Sequence, residues 1–203
     1  MKYGELSPNK SINATIYRCF EHIHESDQRK FVRRFCNPKA SDHQLKDTYR
    51  ELIVGAYLAT RGFEVEYERL FGKKRPDWYI CGSDPQTEAI LEVANLHPDR
   101  ETECKIDADM RAERATGYWG SPRDKRLDQS IQEKVVKYGG LLESYNLACV
   151  VAVFRVFTTD LTLEAVRTIL GKVEQPLFKQ YRQLSGVLYF EEPLYRFQYS
   201  KSL

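Results

Sequence analysis

The chain has 203 residues, of which 42% are apolar, 30% charged and 12% aromatic, a composition that excludes wholesale disorder and fibrous repeats. This length suits one domain with at most a small appendage, and it buries a full core without metal or disulfide staples. Lys plus Arg is 31 against 29 for Asp plus Glu, a net charge of +2. Bulk charge therefore neither marks nor excludes a nucleic-acid binder, and local clustering decides.

In chain order, residues 1–12 read as a loose arm. Ile16, Phe20 and Ile23, then Phe31, Val32 and Phe35, recur at helical spacing. Ser26-Asp27 between the two sets is an N-cap signal, so this stretch predicts two short helices, the second ending at Asn37-Pro38. Ser41-Asp42 caps a longer helix through about Arg61, and Gly62 stands where a C-cap glycine belongs. The period then changes from 3.6 to 2. Phe63, Val65 and Tyr67 alternate with Glu64, Glu66 and Glu68, the pattern of a half-buried strand. Phe71 to Lys74 reads as a turn, Asp77 to Cys81 as a second strand, and Glu88 to Asn95 as a third.

The polar stretch from His97 to Arg126 holds a helix at about 103–116 before Gly117, Gly120 and Pro122 break it. Residues 124–145 predict a helix with Leu127, Ile131, Val135, Tyr138 and Leu142 on one face. Ala148 to Phe157 is a continuous apolar run, suited to a central strand covered on both faces. A helix follows at Leu161 to Leu170, then a terminal hairpin of Val187 to Phe190 and Tyr195 to Tyr199. This order predicts an α/β (α+β) sheet with helices on both sides.

Five scattered cysteines without a CxxC read as reduced thiols. The start MKYGELSPNK has no apolar core of a signal peptide. The longest apolar stretch is far short of the ~20 residues of a membrane span. The chain therefore reads as soluble and cytoplasmic, with no membrane partner. A helical His pair at i, i+4, a Gly-rich phosphate loop and GxSxG are all missing, so metalloprotease, NTPase, dinucleotide and serine-hydrolase readings fall away.

Glu92 is the odd residue, because it interrupts the apolar strand Ala-Ile-Leu-Glu-Val-Ala. A carboxylate there is costly unless a cation or hydrogen bonds satisfy it. If the second and third strands are neighbours, Asp77 and Glu92 come together, and two adjacent carboxylates are comfortable around a hard cation such as Mg²⁺ or Mn²⁺. The bland alternative is a Glu92 near a strand end, paired with an arginine. Basic residues concentrate at Arg29, Lys30, Arg33 and Arg34, at Lys73, Lys74 and Arg75, and at Arg123, Lys125 and Arg126. Such charge beside a carboxylate site suits a phosphate backbone better than a protein substrate, although most basic runs are simply solvated faces. Trp119 to Arg123 reads as a loop able to close over nucleic acid, or as a flexible insertion. His97 and Asp99, just after the third strand, are weaker ligand candidates, while His22, His24 and His43 read as surface residues.

A helix carrying Glu51, then Gly62-Phe63-Glu64-Val65, then Arg75-Pro76-Asp77, then Glu92 resembles the PD-(D/E)XK nuclease superfamily over roughly residues 42 to 157. The resemblance implies a restriction-endonuclease-like fold: a mixed central sheet flanked by helices, here at 41–203, with an N-terminal helical extension at 1–40. It implies metal-dependent cleavage of nucleic acid, DNA above all, with Mg²⁺ (or Mn²⁺) held by Asp77 and Glu92 and supported by Glu51. The pattern departs at Glu92-Val93-Ala94, where an alanine stands in place of the family lysine. Residues 92 and 94 share a strand face, so that face lacks the lysine.

Lys134 and Tyr138, four apart on the next helix, resemble the branches in which the lysine has moved. Lys134 then balances charge on the scissile phosphate, with Lys137 in reserve. The bland alternative is a lysine that snorkels at the core edge. Tyr138 orients Lys134 or touches phosphate, and Lys137, Lys74 and Arg75 contact substrate. The resulting expectation is a DNA endonuclease, with a homodimer or a targeting partner protein left open. The competing expectation is an inactive module of the same fold that binds nucleic acid or a protein.

Overall fold

The computed structural model describes residues 2–82, 88–95, 108, 123–155, 163–171 and 177–191. Three helices come first: α1 (Lys10–Phe20), α2 (Glu25–Phe35) and α3 (Asp42–Thr60). Strands β1 (Glu64–Tyr67), β2 (Trp78–Cys81) and β3 (Ala89–Asn95) follow, then α4 (Arg123–Tyr145), β4 (Ala148–Arg155), α5 (Leu163–Leu170), α6 (Leu177–Gln180) and β5 (Leu184–Glu191). The five strands form one sheet in the order β1-β2-β3-β4-β5. β1, β2 and β3 run antiparallel in succession, whereas β3, β4 and β5 run parallel. The protein is thus mixed α/β, with helices on both faces of a mixed sheet.

The helix ends follow their caps. Asn9 caps α1 by accepting from Ser11 and Ile12 N–H, one turn earlier than the apolar spacing alone places the start. Ser41 and Gln44 form a reciprocal capping box on α3. Gly62, at φ +86°, takes the left-handed conformation beyond α3 that a side chain would resist.

Three expectations change. The N-cap of α2 is His24, not Ser26, whose N–H His24 accepts. Asp27 instead lies buried inside the helix and accepts the Tyr67 N–H. The arm before α1 is packed rather than loose: Leu6 is buried and its N–H is held by Asn13 Oδ1 at 2.9 Å. The first arm of the expected terminal hairpin is β5, paired parallel to β4; the second arm lies outside the described residues. The helix expected at 103–116 also falls outside them, apart from Ala108, as do His97, Asp99 and the loop at Trp119.

Each face of the sheet carries its own core. α4 lays Leu127, Ile131, Val135 and Tyr138 over Tyr79, Ile90, Ala94, Val151 and Val153. α1, α2 and α3 cover Trp78, Ile80, Leu91, Val93 and Phe154 on the other side. Alternation along β2 and β3 therefore assigns odd and even positions to opposite faces. β4 is buried on both, as its unbroken apolar run requires. On the α1–α3 side, Phe31 stacks on Tyr67 at 4.1 Å and on Trp78 at 5.9 Å between centroids. α3 comes close to Trp78 because residue 55 is glycine, and the indole N–H donates to the Glu51 carbonyl at 2.8 Å.

Candidate active site

β2 and β3 pair in register at Trp78↔Leu91, which sets Asp77 opposite Glu92. Both alternate to the side of Tyr79 and Ile90, the face that α4 covers. The backbone ladder stops here and the carboxylates take its place. Asp77 N–H donates to Glu92 Oε1 at 3.0 Å, and Val93 N–H donates to Asp77 Oδ2 at 2.7 Å. Glu92 is fully buried (0% exposed) while Asp77 is half-buried.

The charge of Glu92 is answered from α4. Lys134 Nζ lies 2.8 Å from Glu92 Oε2, and Lys137 Nζ lies 3.5 Å from the same oxygen. Lys134 and Tyr138, one helical turn apart, both face the sheet, as the i, i+4 spacing requires. The Tyr138 hydroxyl, however, donates to the Arg75 carbonyl at 2.9 Å, and the residue is 1% exposed. Lys74 Nζ donates to the Lys137 carbonyl at 2.9 Å. These two links clasp the segment Lys74-Arg75-Pro76-Asp77 to α4. Tyr138 therefore offers no surface to a phosphate in this arrangement. Lys73 and Arg75 stay exposed beside Asp77.

Glu51 sits apart from this pair, in a separate network. Its Oε2 accepts from Arg34 Nη1 at 2.9 Å and from the Tyr67 hydroxyl, and the second arm of Arg34 reaches Glu68. The charge of Glu51 nevertheless bears on Asp77. Loss of hydration, then repulsion by Glu92, then by Glu51, push the Asp77 carboxyl up to about 7, against the pull of Lys134. Burial raises Glu51 as well, against its Tyr67 and Arg34 partners. For Lys134 burial works downward, but the Glu92 and Asp77 carboxylates outweigh it and hold the ammonium form.

Stability should follow the Asp77 proton. Unfolded, the carboxyl titrates near 3.8; folded, near 7. As pH rises between these values the unfolded chain releases its proton first, so Asp77 subtracts stability progressively over that window and no further above it. Asp77→Asn keeps an acceptor for the Val93 N–H and removes the repulsion. Urea midpoints from pH 4 to 7.5 should fall less in this variant than in the wild type; parallel curves would contradict the raised carboxyl.

Of the residues singled out from sequence, the structure joins Asp77, Glu92, Lys134 and Lys137 directly, ties Lys74, Arg75 and Tyr138 into their frame, and leaves Glu51 in its own network with Arg34 and Tyr67. It adds Arg34 and Tyr67, for which the sequence carries no site signal beyond a basic run and a strand pattern. Much of that first basic run is spent internally: Arg29 pairs with Glu25, Lys30 with Asp27, and Arg34 with Glu51 and Glu68. The side chains of Arg123, Lys125 and Arg126 lie outside the described residues.

Among the described residues, no three His, Cys, Asp or Glu side chains cluster to hold a metal ion by themselves. A carboxylate pair does suit Mg²⁺, which is commonly bound by one or two carboxylates with water and substrate phosphate completing its shell. No described helix is long and apolar enough to cross a membrane. The chain matches no protein-family model, no curated protein and no solved structure.

Proposed function

We propose that this protein is a divalent-metal-dependent nuclease of restriction-endonuclease-like fold, acting on DNA. The observation that carries the reading is the Asp77–Glu92 pair with Lys134 set against it from the crossing helix. Asp77 is only partly buried while Glu92 is sealed, so a ligand approaches from the Asp77 side. The order α3-β1-β2-β3-α4-β4, with an antiparallel meander followed by a parallel crossover strand, is compatible with that fold.

Asp77 and Glu92 would hold Mg²⁺ or Mn²⁺, which would polarise the phosphodiester and activate the attacking water. Glu92 is fixed by the Asp77 N–H, and Asp77 by the Val93 N–H, so both acceptors are oriented before a ligand arrives. Lys134 then turns from Glu92 to the charge that develops on the phosphate. Lys73, Arg75 and Lys137 supply positive charge for the backbone of the substrate. Glu51 would support the cation through its charge.

Melting in millimolar Mg²⁺ or Mn²⁺, read beside plasmid nicking, tests this. A cation at about 100 times its Kd stabilises by ~2.7 kcal/mol, a rise of roughly 5–10 °C for a chain of this size. Glu92→Gln should lose both the rise and the nicking. A wild-type melting curve indifferent to both cations would favour the inactive binding module, in which Lys134 and Lys137 neutralise Glu92 without a metal.

A further inference from the structure

The path of the chain into Asp77 is tied to α4 step by step. Phe71 and Lys74 close a tight turn through reciprocal backbone hydrogen bonds of 2.9 Å, with Gly72 at φ +59° inside it. The Phe71 ring packs on Tyr79 and on Tyr145, at 5.4 and 5.3 Å between centroids. The Lys74 ammonium then donates to the Lys137 carbonyl, and the Tyr138 hydroxyl donates to the Arg75 carbonyl, both at 2.9 Å. Pro76 is buried and brings no N–H of its own. Asp77 follows, and its N–H meets Glu92 Oε1 at 3.0 Å. The Tyr138–Arg75 and Asp77–Glu92 bonds thus bracket a residue that has no donor. Lys134 lies one turn before Tyr138 and meets Glu92 at 2.8 Å. One turn of α4 therefore holds both the chain that delivers Asp77 and the cation that answers Glu92.

We infer that Tyr138 is a positioning residue for the acidic pair: by holding the Arg75 carbonyl it sets where Asp77 stands against Glu92, and Lys74 acts with it through the Lys137 carbonyl. Of three consecutive basic residues, Lys73 and Arg75 then remain to face a substrate, while Lys74 belongs to the frame. The inference rests on the reading of Asp77 and Glu92 as the working pair. Tyr138 carries no charge, so a change there tests position without altering the field around a cation or a phosphate. Burial, then the Glu92 charge, pushes its hydroxyl up, so it stays protonated and keeps donating.

Two readouts on Tyr138→Phe, which keeps the ring, test this. The first needs no metal: amide hydrogen exchange followed by NMR. Asp77 and Val93, whose N–H groups meet the two carboxylates, should exchange about tenfold faster or more once the tie is lost, while the amides of β4 keep their wild-type protection. The second is Mn²⁺ affinity, read from the electron paramagnetic resonance of free Mn²⁺. It should weaken by about tenfold or more, the usual cost of removing a group that orients metal-binding side chains. Lys74→Met should move the same amides and serves as the readout if Tyr138→Phe does not fold. Lys73→Met, which removes a neighbouring charge outside the frame, should leave them unchanged. Asp77 exchange that is unchanged in Tyr138→Phe, or raised only in step with every amide of the sheet, overturns the inference. So does unchanged Mn²⁺ affinity in the variant when the wild type binds. A wild type that binds no Mn²⁺ overturns the metal-dependent reading instead, and the amide readout alone then decides whether Tyr138 places Asp77.

Discussion

Lys134→Ala is expected to lower plasmid nicking by about 10²–10³-fold, the usual loss when one preorganised charge partner of a transition state is removed. It is also expected to lower the melting temperature, which a lysine merely snorkelling at the core edge would not do. The reason is Glu92, which is 0% exposed and accepts from Lys134 at 2.8 Å. Removing one member of a buried pair leaves a charge in an apolar strand and costs about 3–5 kcal/mol. Lys137, 3.5 Å from the same oxygen, holds the loss to the low end. At about 3 kcal/mol the melting temperature should drop by roughly 6–12 °C. The double variant Lys134→Ala/Glu92→Gln should regain most of that stability, since no uncompensated charge remains, while staying inactive. Scanning calorimetry of the wild type and the two variants decides the point: an unshifted Lys134→Ala would show that Glu92 does not depend on this partner.

Gly55→Ala should be as damaging, without touching any charged group. A Cβ at residue 55 would lie 1.9 Å from Trp78 Cζ2. The indole has nowhere to go: it is fully buried, its N–H is bonded to the Glu51 carbonyl, and its ring packs against Phe31 and Tyr67. Alanine gains up to ~1 kcal/mol over glycine in helix propensity. Overpacking costs 1–3 kcal/mol and more where the neighbour is rigid, and we expect a net loss of about 3 kcal/mol, again roughly 6–12 °C. Thermal unfolding followed by tryptophan fluorescence checks this. A melting temperature equal to or above the wild type would mean that α3 does not pack on Trp78 this closely.

Periodicity made most of the architecture legible. The change from 3.6 to 2 after Gly62, the unbroken run of β4 and the apolar face Leu127-Ile131-Val135-Tyr138-Leu142 each repeat within a few residues. Such patterns specify which side of an element is buried whatever packs on it. Glu92 was legible for the same reason, as a charge out of place in an apolar strand, and the missing lysine could be read from Ala94, two residues on. Ala94 is indeed buried on the α4 face. The contacts across elements were not legible. Lys134 and Glu92 are 42 residues apart, Tyr138 and Arg75 are 63 apart, and Arg34 and Glu51 are 17 apart on different helices. A hydroxyl that could reach phosphate donates instead to a carbonyl, and basic residues that could face a substrate are spent on internal acids. The clearance at Gly55 likewise depends on where a distant indole comes to rest. Burial pattern is a local property, carried by side chains a turn or a pleat apart; which donor meets which acceptor is settled only when β2, β3, α3 and α4 are packed together, because only then do desolvation and distance choose among the partners that the chain offers.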